Sequence, residues 1–142
     1  MAISQAVCNS FKKEILEGIH DLESGGDSFK CALYKSTAVL SAATTSYTTG
    51  NEVSPSGTYA AGGGVLQNQQ VSLSNGVAIV DFNDISFTGV TLTARGALIY
   101  NTTETGKAVC VLDFGADKTA TSGTFTIQFT AFTSSAAILR IA

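Results

Sequence analysis

The stretch QQVSLSNGVAIVDF, residues 69–82, decides the fold class. Two β-type runs flank Asn75-Gly76, a dipeptide whose two residues accept the positive φ angles of a type I′ turn. That pattern predicts a two-stranded hairpin. The same texture continues on both sides. Downstream, "TFTIQFT" alternates Phe125, Ile127 and Phe129 with Thr124, Thr126, Gln128 and Thr130, so one face of this strand meets a core. Upstream, "FKCALY" sets Phe29, Cys31 and Leu33 on one face and Lys30, Ala32 and Tyr34 on the other. Between and beyond lie "ISF", "GVTLTA", "GALIYN", "KAVCVLDFG" and "AAILRIA", with turns expected at Thr102–Gly106 and Ala116–Gly123.

About eight short strands with a turn signal roughly every ten residues describe an antiparallel sandwich or barrel. No segment of helical period separates them, which argues against parallel βαβ units. The expected fold is mainly β: an antiparallel β-sandwich, jelly-roll-like, over residues 27–142.

The first 26 residues read differently. Ile3, Val7, Phe11, Ile15, Ile19 and Leu22 recur every three or four residues, the stripe of one helix face. Ser4 suits the N-cap and Gly25-Gly26 the C-terminal stop. This predicts an amphipathic helix over about residues 3–22, closed by its glycine cap and packed into one structural domain with the β region. His20 falls beside the stripe and reads as a partly covered surface histidine.

Ser41–Ser56 is rich in Thr and Ser, holds the one proline, and reads as an extended surface loop. The run Gly62–Gly64 invites comparison with a phosphate loop. It lacks a following GK[ST] and any helical period, so it reads instead as a bulge or tight bend at a sheet edge.

With 142 residues the chain can bury a core without staples. The net charge is −3 and only 13% of residues are charged, which gives no basic stripe for nucleic acid. A low-charge surface of this kind suits packing against copies or partners. No run reaches membrane-spanning length, and no signal-peptide pattern opens the sequence. Cys8, Cys31 and Cys110 read as reduced, mostly buried thiols, with a Cys31–Cys110 disulfide the other arrangement. The cysteines are scattered singly and lack zinc-ligand spacing. Asn101-Thr102-Thr103 matches the glycosylation pattern and is taken as an exposed turn.

Catalytic chemistry finds little material. One histidine serves the whole chain, and no GxSxG elbow occurs. The carboxylate pairs Asp81/Asp84 and Asp113/Asp117 lie at strand ends, where Asp bonds nearby backbone N–H groups. Without a tryptophan to stack on sugar, glycosidase chemistry is disfavoured, and neither pair matches a calcium loop. No cofactor is expected. Arg95 is a lone charge in a β region, expected to pair with an acid at a sheet edge or subunit contact. The candidate interface residues are Ile3, Val7 and Phe11 on the helix, Tyr47 and Tyr59 around the long loop, and Arg95.

Three blocks carry a resemblance: "SFKCALYKSTAVLSAATTSYTTGNEVSPSGTYAAGGGVL", then "ARGALIYN", then "KAVCVLDFGADKTATSGTFTIQF". In this order they resemble a family of small virion structural proteins of tailed bacteriophages, over nearly the whole chain. The chain departs from the pattern at Thr130 and in "EVSPSGTYAAGG". The resemblance implies a non-enzymatic virion protein, a capsid cement or decoration protein that bridges capsid subunits. Its implied partners are the major capsid protein and further copies of itself, as a dimer or trimer, with no nucleic acid or membrane. Its implied place is the capsid surface, after synthesis in the bacterial host cytoplasm. The other reading is a tail or fibre adaptor contacting host glycans.

Overall fold

The computed structural model describes residues 3–129 and 137–141. Thr130, where the chain departs from the family pattern, lies outside them. The fold is mainly antiparallel β with one short helix. In chain order the elements are β1 (Ala6–Val7), α1 (Asn9–Leu16), β2 (Phe29–Tyr34), β3 (Gly64–Val65), β4 (Gln70–Ser74), β5 (Val77–Asp81), β6 (Ile85–Asn101), β7 (Lys107–Ile127) and β8 (Leu139–Ile141). They form a five-stranded sheet, β1-β7-β6-β2-β3, and a three-stranded sheet, β4-β5-β8.

The hairpin forms where the sequence places it. Asn75 (φ 52°) and Gly76 (φ 77°) join β4 to β5, and Ser74 pairs with Val77. The core follows the apolar pattern of the central strands. Phe29, Cys31, Leu33, Leu98, Ile99, Val109 and Val111 are fully covered, and Phe125 and Ile127 are buried.

The helix is shorter than its stripe. α1 starts after Cys8, which gives no side-chain cap bond. Before it the chain is extended, because backbone distant in sequence claims its N–H groups: Ser4 donates to the Leu40 carbonyl and Cys8 to the Val109 carbonyl of β7. Gly18 (φ 72°), not Gly25-Gly26, ends the helical run. Ile3 is buried in a bridge to Leu40 rather than on a helix face.

The expected turn at Ala116–Gly123 is instead strand. "GVTLTA" and "GALIYN" merge into β6, and "KAVCVLDFG" and "TFTIQF" share most of their length in β7. Register shifts absorb the irregularities. In the largest, Arg95 alone on β6 lies opposite Phe114 to Asp117 on β7. A bulge lets one strand bend where a turn would end it.

Ser41–Ser56 is not a detached surface loop. Asn51 to Val53 run along the edge of β2, with Val53 donating to the Leu33 carbonyl and Tyr34 bridging Glu52. Val53 is buried.

Candidate functional site

Among the described residues, a concavity lies between α1 and the three-stranded sheet. Cross-strand pairing fixes what it presents. Val71, Val80 and Leu139 stand in one row, and Leu73, Ala78 and Ile141 in the next. Partners directly opposite share a face, so one side of this sheet is wholly apolar. Phe11, Ile15 and Leu16 form the facing wall of a groove of about 690 Å³. Lys12, Asp21, Glu23 and Arg140 stand among its lining residues. Leu16 is 89% exposed, Leu73 73%, Ile141 59% and Val71 41%, so the surface is only half covered by its own chain. A contiguous exposed apolar surface is a place for binding by burial.

The expected interface residues are divided by the fold. Ile3, Phe11 and Tyr59 are buried within the chain and cannot form an outer interface as a set, although Phe11 reaches the groove wall. Val7, Tyr47 and Arg95 are half-buried.

Tyr47 and Tyr59 serve a polar cluster that the sequence reading missed. Tyr47 Oη donates to Glu52 Oε1 (2.6 Å), while Tyr59 Oη (2.7 Å) and the Gly62 N–H (2.7 Å) donate to Glu52 Oε2. Tyr47 stacks on Tyr100, with ring centroids 4.6 Å apart. Tyr100 Oη donates in turn to the Gly62 carbonyl. One carboxylate thus ties the long loop to the glycine run. Burial pushes Tyr100 up to about 12 and raises Tyr34 and Tyr59 as well. The available signal was two tyrosines, a glutamate and Val53 in a segment otherwise too polar to be core.

His20 also departs from expectation. It lies beyond the helix end and its side chain is fully covered. The Asn101 amide donates to Nδ1 (3.0 Å), so Nε2 carries the proton and donates to Glu14 Oε1 (2.9 Å). Phe11 packs on the ring, with centroids 4.8 Å apart. Both ring nitrogens are engaged, leaving neither for a substrate. Asn101 is fully buried, not an exposed turn: it also donates to Asp27 Oδ2 and accepts from the Glu104 N–H.

Arg95 Nε donates to Asp113 Oδ1 (3.0 Å), which also accepts the Gly115 N–H (2.9 Å). The Gly115 bond first, and Arg95 second, hold the Asp113 carboxyl below the usual range. This pair pins the large bulge of β7. Asp84 accepts from the Phe129 N–H. Burial chiefly, with the Asp84 charge adding, raises the Asp81 carboxyl. The three cysteines are buried and free, so Cys31 and Cys110 are not joined. Burial pushes the Cys31 thiol up to about 12 and the Cys8 thiol to about 11. Among the described residues no group of three or more His, Cys, Asp or Glu is placed to hold a metal ion.

Compared with known proteins, the chain matches no family model, no curated protein and no solved structure.

Proposed function

We propose that this chain is a non-enzymatic structural protein of a bacteriophage virion, a capsid cement or decoration protein that binds and bridges major capsid subunits. The observation that carries the binding role is the half-covered apolar face beside α1, with Leu16 and Leu73 the most exposed of its large side chains. Such a surface gains free energy by being covered. The virion assignment rests on the order of the three sequence blocks. The groups that catalysis would draw on have structural partners: His20 between Glu14 and Asn101, and Asp113 with Arg95. The jelly-roll-like sandwich belongs to this reading, supported by Val80, Phe82 and Leu139 joining the same core as the five-stranded sheet.

A protein that binds only the assembled shell stabilises it by mass action. Particles lacking this chain are expected to assemble, to release DNA at lower temperature than wild type, and to regain heat resistance when purified protein is added. Co-fractionation with isolated tails and unchanged capsid heat resistance would favour the tail or fibre adaptor.

A further inference from the structure

We infer that β4 is the interface of a two-fold symmetric dimer, in which β4 of one copy pairs antiparallel with β4 of a second across an axis through Ser72. This does not rest on the virion reading and concerns the purified protein alone.

The inference starts from the hydrogen-bond phase of the hairpin. A two-residue type I′ turn closes on a hydrogen-bonded pair, here Ser74 with Val77, and such pairs alternate along an antiparallel ladder. Gln70, Ser72 and Ser74 therefore turn their backbone groups toward β5. Val71 and Leu73 turn theirs outward, at the outer edge of the three-stranded sheet. A two-fold axis at Ser72 sets Val71 opposite Leu73 of the second copy, and Leu73 opposite its Val71. The outward N–H and C=O groups of each copy then meet their complements, and Ser72 meets Ser72 in a non-hydrogen-bonded pair.

Side chains agree with this register. Val71 and Leu73 share the apolar face, so each apolar residue meets an apolar one. Gln70 meets Ser74 on the polar face. None of the five β4 residues is charged, so two chains of net charge −3 join here without opposing like charges. The usual devices that blunt an edge are missing from β4: it has no lysine, no proline and an unbroken register to β5. Four of its five residues are exposed in the single chain, Val71 and Leu73 among them. An in-plane strand pairing keeps both apolar faces on one side of a continuous six-stranded sheet. The dimer thus presents two grooves in the same direction, an arrangement that raises hold on a repeating partner through effective concentration.

Light scattering on the size-fractionated full chain tests the proposal. The expected mass is twice 14.6 kDa in the micromolar range. Ser72 is exposed, so Ser72→Lys and Ser72→Glu should keep the wild-type fold, as read by circular dichroism. Each alone should raise the dimer dissociation constant about tenfold or more by facing like charges across the axis, and mixing the two should restore the dimer. Ser72→Cys should cross-link to itself under mild oxidation. Gln70→Cys and Ser74→Cys should cross-link only when mixed. A wild-type chain of monomer mass throughout, a dimer indifferent to Ser72→Lys, or a dimer that Ser72→Cys fails to cross-link would each overturn the proposal.

Discussion

Replacing Gly63 with alanine should be among the most damaging single-methyl changes in this protein. Gly63 has φ of +86°, a conformation that costs an L side chain about 1–2 kcal/mol. A Cβ there would overlap the Cys31 carbonyl oxygen and lie 2.5 Å from its carbonyl carbon and 2.8 Å from Ala32 Cα. These are backbone atoms of β2, which is held on its other side by six registered pairs with β6. The strand cannot step aside without loosening Cys31↔Gly64 and Lys30↔Val65. Overpacking against a fixed strand adds about 1–3 kcal/mol. Together the loss is about 2–5 kcal/mol, a fall in Tm of about 5–15 °C for a domain of this size. Gly50→Ala is the matched control, since it has no positive φ and nothing within 4 Å of the added methyl. Paired thermal and urea melts of the two variants provide the assay. A Gly63→Ala protein that melts within about 2 °C of Gly50→Ala would refute the close approach of the glycine run to β2.

Glu52→Ala removes the acceptor for Tyr47 Oη, Tyr59 Oη and the Gly62 N–H; with water replacing part of the loss, urea unfolding should show a drop of about 2–4 kcal/mol. Limited proteolysis should then cut sooner within residues 41–56. Alkaline pH should also destabilise the fold. Tyr34, Tyr59 and Tyr100 are raised above their ordinary value of 10.0, so the unfolded chain loses these protons first. The stability they contribute is whole below pH 10 and falls as pH rises from there, by about 1.4 kcal/mol per pH unit for each tyrosine. Urea melts at increasing pH should show this slope, and Tyr34→Phe should flatten it.

Much of the β texture was legible because it is local. Asn75-Gly76 specifies its own turn, and Phe125 and Ile127 declare their buried face by alternation. What stayed hidden depends on residues distant in sequence. Ile3 and Val7 fit a helix stripe, yet backbone partners at Leu40 and Val109 draw the chain out before α1. Glycine-rich and Thr-rich segments near Gly115 and Ser122 resemble turns, and only the pairing with β6 makes them bulges. His20 looked like a surface residue because Asn101, which buries it, lies 81 positions away. The groove was invisible for the same reason: its walls come from residues near 15, 71 and 139.

The pairing of β1 with β7 has a consequence for how the protein folds. β1 lies far along the chain from its sheet partner. Val7 must wait for Cys110, Gln5 bonds the backbone of Asp113 at a separation of 108 residues, and β5 gains its second neighbour only with β8. The large sheet closes only when β7 joins β1 and β6. The pace of folding is therefore set by these long loop closures rather than by formation of the short helix.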